Sequence, residues 1–420
     1  MSKLTVPAAV ASTRRDFLVG ATAVGAGLFA PTGLRAEDYH TSAVNRTGLA
    51  VDARTAMVGI LHSETGPMAL AEAGSIKAEI MAIERVNAQG GVLGRQIEYV
   101  KEDGKSDPAH FANRARKLLG DDRVTAVMGC GTSASRKAVL PVFEELNGFL
   151  YYPTFYEGLE QSPNVIYTGQ EATQQIIAGI EWAADAFGAR TFYLIGSDYV
   201  WPRTANRIAR SHIEGLGLQV LGEEYYELGH VQFRASMGRL RESQPDIVCA
   251  IVVGGSNVAF YKQLAAAGID IRNGRMKVLT ISVTEDEIGG IGGEFVEGAY
   301  MCAKYFQSIE TEANRDFVKA YKARWGEAEV ISDVTQCAYL GPWLWKAAVE
   351  RAGSFDVDKV NLASPGIELP NAPAGHVEIH TNHHLWSKTR IGRARADGQF
   401  DIVHETDTLI EPDPFYRASA

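Results

Sequence analysis

The segment GCGTSASRKAVLP, residues 129–141, follows an apolar run at 124–128 that is typical of a buried strand. A second apolar run, 149–152, leads into the aromatic turn of FLYYPTFYEG (149–158), and SPNVIYTG (162–169) closes the stretch. Because open α/β sheets bind ligands beyond the carboxyl ends of neighbouring parallel strands, both turns are expected at one such edge. We therefore predict that residues 129–169 form the floor of a small-molecule site.

Outward from this stretch, apolar strand-like runs alternate with helical patterns in two similar units, which is typical of doubly wound α/β domains. Asp107 followed by Pro108 indicates a helix start. The first unit is predicted to contain strands at 57–61, 96–100 and 124–128 and helices near 76–86 and 107–119. The second is predicted to contain strands at 191–195, 218–224 and 246–253 and helices at 171–187, 203–214, 233–243 and 256–267.

The pattern in the last third of the chain indicates that it contributes further elements to both units. Two long helices, 312–325 and 333–352, precede short strands, and Pro342 is expected to kink the second helix. We predict an N-terminal lobe of residues 55–170 plus 306–353 and a C-terminal lobe of residues 171–305 plus 354–420. Several crossings between the lobes would place a ligand cleft between them.

Composition excludes several classes of function. Apolar residues make up 46% of the chain and charged residues 22%, as in ordinary globular proteins. The formal net charge of −10 argues against a nucleic-acid partner, which requires a concentrated basic face. The four cysteines are widely spaced and are interpreted as buried thiols, with a disulfide as the alternative.

The N-terminus has the pattern of an export signal. Two adjacent arginines, Arg14 and Arg15, precede Asp-Phe-Leu and a short apolar run, as in twin-arginine signal peptides of bacteria. We predict a signal peptide at residues 1–36, a flexible lead at 37–54, and a periplasmic location. The alternative is an amphipathic tail.

The turns that follow the predicted strands carry the candidate ligand-binding residues. Thr132 and Ser133 precede a helix whose first N–H groups are unpaired, so they either bind a carbonyl group or only cap the helix. Tyr152 and Thr154 lie one strand over and would supply a ring and a hydrogen bond; the alternative is a core tyrosine beside a local turn. The pair Tyr199 and Trp201, in the matching turn of the second unit, would cover the ligand or pack between domains.

No pattern supports catalysis or a bound cofactor. The chain lacks the nucleophile-elbow, Walker and dinucleotide-binding motifs. Four histidines at 376, 380, 383 and 384 lack regular metal-ligand spacing, so no metal site is predicted. The acidic run Glu285–Glu287 is interpreted as a solvated helix start. We therefore expect a binding protein and not an enzyme.

At these residues the chain resembles the urea and short-chain-amide receptors among the branched-chain amino-acid-type substrate-binding proteins of ABC transporters. The resemblance rests on the quoted motifs and on GSDYVWPRTAN (196–206), and extends from Val58 to Phe415. It implies a type I periplasmic-binding fold of two Rossmann-like lobes, joined by a three-strand hinge, whose cleft closes on the ligand and then docks to a membrane permease. The resemblance implies ligand-binding roles for Ser133, Tyr152, Thr154, Tyr199 and, as an aromatic replacement, Trp201; Thr132 and Gly131 complete the predicted site.

Two departures from this family bear on the ligand. Gly131 stands where relatives usually carry an aromatic residue, and Gly255 stands where urea receptors often carry aspartate. The first departure is expected to enlarge the pocket and the second to remove an acceptor for urea N–H groups. Both departures favour a bulkier amide or a related nitrogen compound over urea.

The predicted function is a periplasmic receptor of an ABC transporter for urea, a short-chain amide or a related small nitrogen compound. The alternative is an amide-sensing regulatory protein of the same fold. Such a protein would act in the cytoplasm and would not need an export signal.

Overall fold

The computed structural model describes residues 48–416 and divides them between two α/β lobes. The signal peptide predicted at residues 1–36 lies outside the described residues. None of the helices in 48–416 combines the length and the apolar character that crossing a membrane requires.

The first lobe is built on a five-stranded parallel sheet with strand order β2-β1-β3-β4-β5. Its strands are β1 (Thr55–His62), β2 (Gln96–Asp103), β3 (Val127–Gly129), β4 (Leu150–Tyr152) and β5 (Val165–Tyr167). Its connecting helices are α1 (Ala69–Ala88), α2 (Pro108–Arg116, followed by a π-helical turn, Lys117–Asp121) and α3 (Ser133–Glu145). Asp107 accepts a hydrogen bond from the His110 N–H and caps α2, with Pro108 at its start, as predicted.

The second lobe contains a seven-stranded sheet with strand order β15-β14-β10-β9-β8-β6-β7. Its strands are β6 (Thr191–Ser197), β7 (Gln219–Tyr226), β8 (Ile247–Ile251), β9 (Lys277–Thr280), β10 (Tyr300–Ala303), β14 (Arg390–Ala394) and β15 (Phe400–Glu405). Its helices are α4 (Ala178–Phe187, after a π-helical turn, Thr173–Ile177), α5 (Val200–Gly215), α6 (Arg234–Ser243), α7 (Gly255–Ala266), α8 (Glu285–Ile291) and α9 (Gly293–Val296). Strands β6 to β10 are parallel, and β14 and β15 close the edge in antiparallel pairing.

The chain returns to the first lobe before it enters β14. The returning elements are α10 (Glu312–Trp325), α11 (Asp333–Ala352), α12 (Val357–Ala363) and a small sheet of β11 (Glu368–Leu369), β12 (Val377–Ile379) and β13 (Leu385–Trp386). Helix α11 is continuous through Pro342.

The assignment of residues 354–420 to the C-terminal lobe was wrong for the first part of that segment. Side chains of α12 and of the small sheet, such as Val360 and Ile379, share one apolar core with Ile60 of β1 and Trp345 of α11. Only β14 and β15 join the second sheet. Residues 37–54 were predicted to form a flexible lead. In the described part of this segment, residues 48–54, the side chains of Leu49 and Val51 instead pack against the first core.

Three segments connect the lobes, as expected for a three-strand hinge. They run from β5 to the turn before α4, from β10 to α10, and from β13 to β14. Buried polar side chains join them: the Lys304 ammonium donates to the Thr168 carbonyl oxygen at 2.5 Å, and the Gln170 amide donates to the Thr389 hydroxyl at 2.8 Å. All four cysteines are free and buried, as predicted.

Candidate functional site

A cavity lies between the lobes, where the carboxyl ends of the first parallel sheet face the second lobe. Its volume of about 70 Å³ is several times the roughly 10–15 Å³ that one water molecule requires, so it suits a small ligand. Six of the seven predicted site residues line it: Gly131, Thr132, Ser133, Thr154, Tyr199 and Trp201.

The first-lobe wall is formed where β3 gives way to α3. The Thr132 hydroxyl accepts from the Ser135 N–H at 3.0 Å, while the Ser135 hydroxyl accepts from the Thr132 N–H at 3.0 Å. This reciprocal arrangement is a capping box, and it fixes the first turn of α3 against the cavity. N–H groups in a first helical turn have no acceptor within the helix. The wall therefore offers main-chain donors to a ligand.

Ser133 lines the cavity, but its hydroxyl already has partners. The hydroxyl donates to Glu157 Oε2 at 2.6 Å and accepts from Arg136 Nη1 at 3.2 Å. The Ser133 side chain, in a residue predicted either to bind a ligand carbonyl or to cap the helix, is thus directed into the protein. A contact of Ser133 with a ligand would have to use its main-chain N–H.

The partners of Ser133 belong to a group of four charged residues, which we call the Arg136 cluster: the buried Arg136, Glu157 and Glu160, and the partly exposed Lys137. Arg136 donates from Nε to Glu160 at 2.7 Å and from Nη2 to Glu157 at 3.2 Å, and Lys137 donates to Glu160 at 2.8 Å. Burial alone would raise the pKa of Glu160, but the Arg136 and Lys137 charges outweigh burial and lower it. Two cations and two carboxylates balance within the cluster.

Tyr152 packs against this cluster and does not line the cavity. Its ring is fully buried, stands 4.9 Å from the Arg136 guanidinium and packs edge-to-face with Tyr156 at 6.1 Å. The sequence analysis correctly placed Tyr152 at the end of a strand, β4. Sequence spacing cannot show whether a side chain at a strand end points into the protein core or into the cavity. Tyr152 therefore supports the floor.

An aromatic wall of Phe155, Tyr199 and Trp201 covers the cavity on the other side. The Trp201 ring lies 5.3 Å from Phe155 and 6.4 Å from Tyr199, between ring centroids. Within residues 48–416, neither the buried Trp201 Nε1 nor the buried Thr154 Oγ1 has a hydrogen-bond partner. Buried polar groups are normally hydrogen-bonded, so both are available to a bound molecule.

The most informative cavity residue, Glu72 of α1, was not identified from the sequence. Its side chain is 3% exposed; Oε2 accepts from His62 Nδ1 at 3.0 Å and from the Ser63 N–H at 2.9 Å. Its other oxygen, Oε1, has no partner among the described residues. A Cβ atom added at Gly131 would overlap the Glu72 carboxylate. The prediction that Gly131 enlarges the pocket was therefore wrong, because the Glu72 carboxylate fills the space beside the glycine.

His62 holds the Glu72 carboxylate in place from behind the cavity wall. Its Nε2 is 3.0 Å from Glu79 Oε1, so the ring lies between two buried carboxylates. Burial alone would lower the pKa of His62, but the carboxylates outweigh burial and raise it to about 10. Burial also raises the pKa of Glu79. The ring is therefore an imidazolium at neutral pH.

The acidic run at the start of α8 is not the solvated helix start that the sequence predicted. Asp286 and Glu287 line the cavity, and Glu285 is buried behind them, where it accepts from the Gln307 N–H at 2.8 Å. Burial raises the pKa of Asp286, and it raises the pKa of Glu287 and of Glu285 to about 8. Asn257 donates to Glu287 at 2.7 Å.

We call three lining residues the cavity carboxylates: Glu72, Asp286 and Glu287. No lysine, arginine or histidine is among the described residues that line the cavity with them. One signal for Glu72 was present in the sequence: Glu72, Ser75 and Glu79 recur at helical spacing on a face of α1 that is otherwise apolar. Polar residues on a buried stripe indicate a site.

The four histidines that the sequence analysis set aside do not come together as metal ligands. His384 is buried, stacks on Tyr167 with 4.2 Å between ring centroids, and lies 2.5 Å from the Tyr156 hydroxyl through Nε2. His376 is half-buried near Glu368 and Glu378, with potential ligand atoms within 4.8 Å of one another.

Comparison with known proteins identifies the family of this chain. A family profile described as periplasmic binding protein domain matches residues 56–420. The chain belongs to the periplasmic binding protein family. Its fold is the type I fold of substrate-binding proteins of ABC transporters, as the sequence predicted.

Individual relatives of this periplasmic binding protein differ in coverage. A leucine-, isoleucine-, valine-, threonine- and alanine-binding protein from Pseudomonas aeruginosa is 25% identical over 336 residues, which span 78% of this chain and 87% of that protein. A limonene hydroxylase from Geobacillus stearothermophilus is 37% identical over 124 residues, but these span only 30% of this chain and 23% of that protein.

Among solved structures, a solute binding protein of an ABC transporter from R. palustris, in complex with 4-hydroxybenzoate, superposes with a TM-score of 0.76. It is 21% identical to this periplasmic binding protein, and the match covers 86% of this chain and 98% of that one. At this identity the likeness shows the fold alone.

Proposed function

We propose that this protein is the periplasmic receptor of an ABC transporter that captures urea, a short-chain amide or a related small nitrogen compound. One observation carries the proposal: the cavity presents unpaired acceptors and unpaired donors together. Glu72 Oε1 lacks a donor, and Trp201 Nε1 lacks an acceptor. A ligand with N–H groups at one end and a carbonyl oxygen at the other would satisfy both.

The two ends of an amide would have distinct partners. A carbonyl oxygen would accept from the Trp201 indole N–H, the Thr154 hydroxyl or the first-turn N–H groups of α3. Amide N–H groups would donate to Glu72 and to Asp286 or Glu287. An isostere that lacks these groups would leave buried polar atoms unpaired and bind weakly.

The cavity carboxylates disfavour the ligands named for the relatives. Amino acids and 4-hydroxybenzoate each carry a carboxylate, which would meet the carboxyl groups of Glu72, Asp286 and Glu287 here with no cation among the described lining residues. Like charges brought together without a counter-ion in a buried site are strongly unfavourable. Departure from the ligands of these relatives is therefore expected.

Closure of the cleft would couple binding to transport. The first lobe contributes Glu72 and Thr154, while the second contributes Trp201 and Glu287, so a ligand reaches its full set of contacts only when the lobes approach. A ligand that binds the closed form better shifts the population toward it. The closed form would then dock to the permease, after export of the protein through the signal predicted at residues 1–36.

A thermal-unfolding screen tests the proposal. Ligand binding to the native state raises the unfolding free energy by about 2.7 kcal/mol at 100 times the Kd. We expect stabilisation by millimolar urea, acetamide or a related small nitrogen compound, and none by leucine or 4-hydroxybenzoate. Stabilisation by leucine or 4-hydroxybenzoate alone would contradict the proposal. A reporter fused to residues 1–40 is expected in the periplasm, and its retention in the cytoplasm would favour the regulatory alternative.

A further inference from the structure

The cavity has an unbalanced charge. Glu72, Asp286 and Glu287 line it, and no lysine, arginine or histidine does so within the described part of the chain. His62 lies behind Glu72, but it also contacts Glu79, so these three residues together carry no excess positive charge when both carboxylates are ionised. A buried carboxylate without a cation is costly, and the group then either takes up a proton or binds a positive partner.

A second observation shows where such a partner would be bound. Glu72 is 3% exposed and its Oε1 has no hydrogen-bond partner among residues 48–416, although Oε2 has two. The overlap of the carboxylate with an added Cβ at Gly131 places it against the cavity wall. His62 and the Ser63 N–H prevent it from turning away. The free oxygen is thus a fixed, buried acceptor for an N–H group of a ligand.

The aromatic wall suits the same partner. Phe155, Tyr199 and Trp201 line the same cavity as the carboxylates, and the Trp201 ring centroid lies 5.3 Å from that of Phe155 and 6.4 Å from that of Tyr199. The faces of aromatic rings attract organic cations, and most strongly where water is excluded. An amidinium or guanidinium group is planar and can stack on these rings while its N–H groups donate to carboxylates.

We propose that the ligand is a small organic cation of the amidinium or guanidinium type, held by Glu72, Asp286 and Glu287. The inference rests on the proposed function, because it selects the charged members from the class of small nitrogen compounds. These members would satisfy Glu72 Oε1 and stack on the Trp201 ring, whereas only a neutral amide would also accept from Trp201 Nε1. The cation would supply the charge that the cavity lacks. Its N–H groups would donate to Glu72 Oε1 and to the carboxylates of α8.

Matched ligand pairs test the charge directly. Acetamidinium and acetamide have nearly the same size and shape, as do guanidinium and urea, and each pair differs in charge. Calorimetric titration of the purified protein at low salt is expected to give at least tenfold tighter binding of the cation in one pair. Equal or tighter binding of both neutral compounds would overturn the inference and leave the proposed function standing. If none of the four binds, both fail.

A variant pair on one helix tests the named acceptor. Glu72→Gln keeps the shape but removes the charge, and we expect affinity for the cation to fall about 10- to 100-fold, as for a lost charge-assisted hydrogen bond. Glu79→Gln is the control, because Glu79 also contacts His62 but does not line the cavity. An equal loss in both variants would overturn the role of Glu72. Tetramethylammonium, which has no N–H group, is expected not to bind, and tight binding of it would also contradict that role.

Discussion

Two groups of buried charges lie side by side at the cleft, and they are organised in opposite ways. The Arg136 cluster pairs each carboxylate with a cation from its own chain, at distances of 2.7 to 3.2 Å. Among the cavity carboxylates, Glu72 shares the His62 ring with Glu79, Asp286 and Glu287 form no ion pair with a described residue, and no described lysine, arginine or histidine lines the cavity. Ser133 stands between the two, since it lines the cavity while its hydroxyl donates to Glu157.

This difference indicates that the Arg136 cluster has a structural role and that the cavity carboxylates have a role in binding. A buried charge that is balanced internally maintains the floor and needs nothing from solution. A buried charge that is unbalanced makes the empty protein less stable than it would otherwise be, and that cost is relieved when a complementary ligand binds. The account therefore expects changes to the first group to alter stability and changes to the second to alter binding.

The largest effect is expected at Arg136. Arg136→Met would leave Glu157 and Glu160 buried without their main partner, and we expect the unfolding free energy to fall by about 3–5 kcal/mol. Lys137→Met is the control, because its side chain is 43% exposed and a surface pair contributes only about 0–1 kcal/mol. Thermal unfolding measures both. A loss below about 1 kcal/mol for Arg136→Met would show that the cluster is not a structural unit.

The next effect concerns the pH dependence of His62. Because its folded pKa, about 10, lies above the usual 6.5, its contribution is complete below pH 6.5 and is lost as the pH rises toward 10. We expect unfolding free energy to fall by about 2–4 kcal/mol across that window. Burial lowers the pKa of His62, and the charged groups that raise it against this effect are Glu79 and Glu72.

His62→Gln supplies the control for this pH dependence. The variant retains hydrogen bonding but cannot carry the charge, so its stability should vary less between pH 6.5 and 10. Because Glu285 and Glu287 have folded pKa values of about 8 and are half ionised there, the interval from about pH 9 to 10 isolates His62 best. An identical slope in the variant and the wild type would contradict the assignment.

Glu287→Gln should have the opposite sign from the Arg136 variant. Burial raises the folded pKa of Glu287 to about 8, so its destabilisation is absent below pH 4.5 and complete above pH 8. We expect the variant to be about 1–2 kcal/mol more stable than wild type at pH 8.5 without ligand, and no more stable at pH 4.5. Glu294→Gln, at an exposed site on α9, should change neither. If Glu287→Gln were less stable than wild type at pH 8.5, Glu287 would be a stabilising charge like those of the Arg136 cluster, and the account would be contradicted.

Gly131→Ala tests whether the missing side chain makes room for Glu72. The added Cβ would displace the Glu72 carboxylate, and we expect cation affinity to fall about tenfold in calorimetric titration. Gly255→Ala is the matched control, since no atom lies within 4 Å of an added Cβ there. Equal affinities in the two variants would remove Glu72 from the binding site.

The smallest effect is expected at Trp201. Trp201→Phe removes the unpaired N–H and keeps a ring, so acetamide affinity should fall by up to about tenfold, as for one neutral hydrogen bond. Acetamidinium has no oxygen to accept that bond and should bind nearly unchanged. A larger loss for the cation than for the amide would reverse the proposed roles of the aromatic wall and the carboxylates.

Local patterns in the sequence predicted much of the fold and part of the site. Alternating apolar runs predicted the α/β lobes, and the strand-to-helix turns placed Thr132, Ser133 and Tyr199 at the cavity. These inferences succeeded because the carboxyl ends of parallel strands meet at one edge, whatever the loops contain. The acidic run at α8 was misread because charge in a helix start is usually solvated.

Other features depend on contacts between distant segments. Glu72 reaches Gly131 across the top of the first sheet, and no spacing in the sequence indicates that contact. Residues 355–386 pack on the first lobe because their apolar side chains complete its core, although β14 and β15 immediately follow in the other lobe. Short strands near the end of a chain match either sheet equally well by pattern alone.

A crystal structure of the protein grown with acetamidinium tests the central claim most directly. The account predicts the ligand between the lobes, with one nitrogen within hydrogen-bonding distance of Glu72 Oε1 and its plane against Trp201 or Tyr199. A cavity that stays free of acetamidinium, or a ligand bound away from Glu72, Asp286 and Glu287, would contradict it.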